Sequence, residues 1–166
     1  MYNGFMNQPK VASIVSSDNL DINIFKTYKK RVLAGGCFDI LHYGHLQFFK
    51  ASREKGDSLI LLLESDLFIT KQKKRSPFHS QQERSELLAS ICYVDVVINL
   101  SRIFLHSDYA EIIKKIHPEI ISITEGDSFE KIKKEHATSY RANLVSFPRF
   151  PFSSSNILTY ASISRN

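Results

Sequence analysis

Five short apolar runs recur along the chain, each followed by a more polar stretch of helical length. They occupy residues 31–34, 58–63, 94–99, 119–123 and 143–147. From Leu59 to Leu63 every side chain is apolar, so that run has no face to give to water. Strands of a parallel sheet covered by helices on both sides have this character. Residues 44–55, 81–93, 108–117 and 128–138 carry the helical signal. In the second of these, Leu87, Leu88 and Ile91 are expected on one face, away from most of Glu83, Arg84 and Glu86. Ser80 with Glu83 matches a capping box and sets where that helix begins. The alternation predicts an α/β fold, a Rossmann-like doubly wound sheet of about five parallel strands with helices on both faces. Ligands of such sheets sit beyond the carboxyl ends of the strands, where the strand order reverses.

Residues 1–30 read as a lead-in and residues 31–166 as the main domain. Within the lead-in, Val11 to Val15 could add a small strand, Ser17 or Asp18 could cap a short helix through Tyr28, and residues 1–10 are expected to be loose. A length of 166 residues suits one domain with a full core. The net charge of +5 fits an anionic substrate. No single helix gathers that charge, so nucleic acid is not the expected partner. Cys37 and Cys92 fall in unrelated segments without metal-ligand spacing, which points to a reducing compartment. No apolar stretch reaches membrane-spanning length and no signal peptide is apparent, so the cytoplasm is the expected location and no membrane partner is expected.

Chemistry concentrates in Gly35-Gly36-Cys37-Phe38-Asp39-Ile40-Leu41-His42-Tyr43-Gly44-His45, which joins the first strand to the first helix. A glycine pair at a strand end lets backbone N–H groups approach an anion. His42 and His45, three residues apart, share a face on a helix's first turn, where the positive end of the helix favours phosphate. Gly44 is costly inside a helix, and close approach of a phosphate chain supplies a reason for it. The segment reads as a site for a nucleoside triphosphate. Cys37 and Phe38 pack the strand end and wall this site, and Asp39 braces the turn. Lys71, Lys73, Lys74 and Arg75 place four cations in five residues, in what reads as a loop at the same sheet edge. Such a run is either a mobile phosphate clamp or a solvated stretch. Gly126 ends the fourth strand, and Asp127 either caps the next helix or touches substrate. Ser153, Ser154 and Ser155 open a final helix, as a cap or as a second phosphate cradle.

With these segments in place, the chain resembles the cytidylyltransferase-like nucleotidyltransferases over roughly residues 31–160. Gly-Gly-Cys-Phe-Asp-Ile-Leu-His-Tyr-Gly-His is similar to their H-x-G-H signature. Lys-Gln-Lys, then Phe-His-Ser-Gln-Gln-Glu-Arg, then Tyr-Val-Asp-Val-Val-Ile, resembles the glycerol-3-phosphate and ethanolamine-phosphate cytidylyltransferases in order and spacing. The lead-in and the Gly-Cys-Phe-Asp wording are similar to the heptose 1-phosphate adenylyltransferases. The resemblance implies that His42 and His45 contact the triphosphate and stabilise the transition state, with Lys71 and Lys73 on its phosphates. Arg84, Asp127, Arg149, Ser153, Ser154 and Ser155 match further nucleotide- or phosphate-binding positions, beside Gly35, Gly36, Cys37, Phe38 and Gly44. Pro151 shortens the spacing from Arg149 to the serines, and Phe152 stands where the family often has glycine. The implied reaction is transfer of a nucleoside monophosphate, CMP ahead of AMP, from CTP or ATP to a small phosphorylated polyol, amino alcohol or sugar. Pyrophosphate leaves, Mg²⁺ is carried by the triphosphate without direct protein ligands, and a homodimer is implied. A nucleotide-binding protein without chemistry is the remaining alternative.

Overall fold

The computed structural model describes residues 10–150. Residues 1–9 and the expected final helix lie outside the described residues. Six strands form one all-parallel sheet: β1 (Ser13–Ser16), β2 (Arg31–Gly36), β3 (Ser58–Leu63), β4 (Val96–Asn99), β5 (Ile120–Thr124) and β6 (Asn143–Phe147). Their order across the sheet is β1-β4-β3-β2-β5-β6, so the winding reverses between β2 and β5. The crossovers carry α1 (Tyr43–Arg53), α2 (Asp66–Lys73), α3 (Gln81–Ala89), α4 (His106–Ile116) and α5 (Glu130–Ser139). The sixth strand is the small one at Ser13–Ser16, which extends the edge by pairing Ser13 with Val96 and Ser16 with Asn99.

Side-chain alternation along the strands sends residues to two separate cores. Val32, Ala34, Leu59, Leu61, Leu63 and Val97 pack beneath Phe48 and Phe49 of α1 and Leu88 of α3. Leu33, Ile60, Leu62, Ile98 and Ile121 pack beneath Ile112, Ile113 and Ile116 of α4 and Ala137 of α5. β3 is buried along its whole length, which is why its sequence shows no polar alternation. Among the described residues, no helix is long and apolar enough to cross a membrane.

Three expectations need correction. The lead-in helix is two short 3₁₀ turns, Ser17–Asn19 and Ile22–Phe25, capped by the side chains of Ser16 and Asp21. The α3 helix stops at Ala89, and its Leu87 faces solvent while Leu88 is buried. The lysine segment is only partly a loop. Lys71 and Lys73 form the last turn of α2, whose first turn is capped by Ser65 accepting from the Phe68 N–H, and Lys74 and Arg75 follow the helix. Lys71 and Lys73 lie at the negative end of that helix's dipole, which offsets their mutual repulsion.

Candidate active site

β2 ends in Gly35 and Gly36 on one side of the reversal, and β5 ends in Thr124 on the other. His42 sits in extended backbone as the N-cap of α1, and its Nδ1 accepts the His45 N–H at 3.4 Å. The cap holds the ring over the helix mouth, where it stacks on His45 with centroids 3.8 Å apart and planes 20° apart. Phe38 meets the His45 ring edge-on at 5.3 Å, and Phe49 lies parallel to it at 6.1 Å. Gly44 makes the stack possible, because a Cβ there would come within 3.1 Å of His42 Nδ1 and 3.2 Å of Phe150 Cβ. Phe38 takes a left-handed backbone, φ 44°, that an aromatic residue rarely adopts. Its ring covers Gly36, where a Cβ would sit 3.0 Å from it, and meets Phe49 at 5.1 Å. Packing thus repays the strain of the turn.

Burial keeps this pair uncharged. It drives the His45 imidazole down to about 3, assisted by the neighbouring His42 and opposed by a hydrogen bond with the Ile40 backbone. Burial lowers His42 as well. Near neutral pH, therefore, both rings are neutral hydrogen-bonding groups and not cations. Burial also pushes the Cys37 thiol up to about 11, with the Glu64 charge adding to the effect, so Cys37 is no ready nucleophile.

A stability test follows from the His45 value. The unfolded chain takes up an imidazole proton near pH 6.5, whereas the folded chain refuses it until about pH 3. The contribution of neutral His45 is complete above pH 6.5 and is lost progressively as pH falls toward 3. Between pH 7 and pH 5 the wild-type chain loses up to about 2 kcal/mol that His45→Asn does not lose. Urea unfolding of both chains at the two pH values measures it, and equal losses would refute a buried neutral His45.

Two buried side chains brace the site. Asp39, 3% exposed, accepts the Phe78 and His79 N–H groups through Oδ1 and the Arg75 guanidinium through Oδ2 at 2.6 Å. The expected bracing role of Asp39 is therefore what the fold shows, and Arg75 of the cationic run is its partner. Arg84 is completely buried. Its guanidinium donates to the carbonyls of His79, Cys37 and Glu64 and to the Asp66 carboxylate. The resemblance implied a nucleotide contact for Arg84. The structure turns it inward instead, to lock the ends of β2 and β3 and both ends of the α2–α3 segment together. Lys71 and Lys73 remain exposed on α2, and Lys73 lies within electrostatic reach of Cys37.

Across the reversal, Asp127 accepts the Phe129 N–H at 2.8 Å and pairs with Lys133 of α5 at 2.7 Å. It caps the turn leading into α5. The chain leaving β6 returns to the mouth of α1, where Phe150 meets the Tyr43 ring at 6.2 Å. Arg149, beside it, is exposed. Ser153, Ser154 and Ser155 lie outside the described residues. Two residues that sequence reasoning passed over also belong to this edge. Glu64, just past β3, is buried and accepts a 2.5 Å hydrogen bond from the Tyr109 phenol. Its only signal was an acidic residue directly following an unbroken apolar strand.

A parallel sheet whose reversal point carries a glycine turn, a helix mouth and a stacked histidine pair defines the nucleotide-binding α/β class. The family model for cytidylyltransferase-like proteins matches residues 33–159, and the chain belongs to that family of nucleotidyltransferases. It is 40% identical over 112 residues to an FAD synthase of Thermococcus kodakarensis, covering 66% of this chain and 73% of that protein. It is also 40% identical over 103 residues to the bifunctional protein HldE of Aliarcobacter butzleri, covering 61% of this chain and 20% of that protein. A lipopolysaccharide core biosynthesis protein of Thermoplasma volcanium shares the fold, with a TM-score of 0.59 at 22% identity over 75% of this chain and 98% of that one.

Proposed function

We propose that this chain transfers a nucleoside monophosphate, AMP in preference to CMP, from its triphosphate to the phosphate of a small acceptor, releasing pyrophosphate. The observation that carries the reading is the neutral, stacked His42–His45 pair at the mouth of α1. Preference for ATP rests on the likeness to FAD synthase. FAD is AMP joined through a phosphate–phosphate link to flavin mononucleotide (FMN), so making it from ATP and FMN is a transfer of this kind. The Lys-Gln-Lys wording that leaned toward CTP finds no counterpart among these relatives' names.

In the reaction, an acceptor phosphate oxygen attacks the α-phosphorus while the bond to the β-phosphate oxygen breaks. A phosphate oxygen is already nucleophilic, so no covalent enzyme intermediate is required. Catalysis then consists of positioning and charge stabilisation. The histidine rings donate N–H groups to α-phosphate oxygens, and the N-terminus of α1 adds the positive end of the helix dipole. Lys71 and Lys73 supply the positive charge that neutral histidines lack, and meet the departing pyrophosphate. Asp127, Arg149 and the 153–155 serines hold the rest of the nucleotide. Mg²⁺ accompanying the triphosphate would neutralise part of its charge.

Thermal shifts with ATP, CTP, GTP and UTP plus Mg²⁺ test nucleotide choice. A nucleotide at a hundred times its Kd adds about 2.7 kcal/mol, which raises Tm by roughly 5–10 °C for a chain of this size. ATP is expected to give the largest rise. A larger rise with CTP would restore the cytidylyl alternative, and no rise with any nucleotide would overturn the reading. Pyrophosphate release with FMN, glycerol 3-phosphate, ethanolamine phosphate and a sugar 1-phosphate then identifies the acceptor.

A further inference from the structure

Glu64 is 7% exposed, in surroundings where an unpaired carboxylate is costly. Tyr109 satisfies Oε1, whereas Oε2 is buried without a hydrogen-bond partner among the described residues. The nearby cations do not supply one. Lys133 is committed to Asp127, and all three guanidinium nitrogens of Arg84 bond other oxygens. Burial raises the carboxyl's pKa, as expected of a group short of donors.

The location matters as much as the vacancy in its bonding. The Glu64 N–H bonds the Gly36 carbonyl at 3.1 Å, which sets Glu64 shoulder to shoulder with the glycine end of β2. Its side chain lies on the α4–α5 side with Tyr109 and Lys133, whereas the histidine stack lies over Phe38 and Phe49 on the α1 side. Two polar clusters thus flank the end of β2. The first, with the lysines and the segment after β6, accounts for the triphosphate. The second has a hydrogen-bond acceptor with nothing to accept.

We propose that Glu64 reads the acceptor substrate: its free oxygen takes a hydrogen bond from a hydroxyl or imide-like N–H on the part of the acceptor remote from its phosphate, while Tyr109 fixes the carboxylate's rotation. The inference rests on the proposed transferase reading and deepens it. It selects acceptors with a neutral, donor-bearing head, such as a polyhydroxy chain or a heterocyclic imide. Heads that carry a second anion or only acceptor atoms are rejected, because they would face a buried carboxylate.

The test compares wild type, Glu64→Met and Tyr109→Phe by pyrophosphate release, with FMN or whichever acceptor of the panel the wild-type chain uses. Losing one hydrogen bond to a charged group raises the acceptor KM in Glu64→Met on the order of 10- to 100-fold. The ATP KM stays within about twofold, a split that general structural damage would not produce. Tyr109→Phe raises the acceptor KM in the same direction by a smaller factor. An unchanged acceptor KM, equal rises in both KM values, or a rise for ATP alone overturns the proposal. Should Glu64→Met not fold, an unchanged acceptor KM in Tyr109→Phe overturns it. A wild-type chain that binds ATP yet releases pyrophosphate with no acceptor refutes the transferase reading first, before any variant is made, and this inference falls with it.

Discussion

His42→Ala and His45→Ala each lower turnover on the order of 10²- to 10³-fold, the usual cost of removing one preorganised donor from a site where charge develops. The stack makes the two losses overlap: with centroids 3.8 Å apart, either ring depends on the other for its position. The double variant is accordingly little slower than the slower single one. Folding must be separated from chemistry, because His42 also caps α1 and an alanine there costs about 1 kcal/mol. Asparagine caps a helix as well as the best residues do. His42→Asn therefore recovers the stability and not the rate. Pyrophosphate release and ATP affinity, measured beside Tm, distinguish the two effects. Turnover near the wild-type rate in both alanine variants would remove the histidine pair from the mechanism.

Arg84→Met produces the largest loss of stability, roughly 3–5 kcal/mol, as expected when one partner of a buried charged network is deleted. The guanidinium is wholly buried, and its removal strands three backbone carbonyls, while the half-exposed Asp66 carboxylate loses its partner. Tm falls by roughly 10 °C or more. Arg84→Lys restores little, because one ammonium cannot reach four oxygens spread over the ends of β2, β3 and the α2–α3 segment. Residual activity falls as well, since the same bonds hold the glycine turn against the lysine helix. A Tm within about 2 °C of wild type in Arg84→Met would show that this network contributes little.

Much of the fold was legible in advance because strand periodicity is a local property. The unbroken apolar run at 58–63 announced a strand covered on both faces, and β3 is that strand. The Ser80–Glu83 box placed the start of α3 correctly, since capping depends on residues three apart. The α2 helix escaped notice because four neighbouring cations argue against local order. The contacts that anchor this segment, Asp66 on Arg84 and, just past the helix, Arg75 on Asp39, join residues 18 and 36 positions apart.

The H-x-G-H spacing and its glycines determined, without any coordinates, that this chain opens a helix just past a strand end with two histidines at its mouth. Local backbone geometry suffices for that. Whether the two imidazoles carry charge was decided only by the fold, because desolvation depends on what packs around them, for His45 the rings of Phe38 and Phe49. The same holds for Arg84 and Glu64. A charged side chain's role follows from which distant oxygens or donors surround it, and those neighbours are chosen by the tertiary structure.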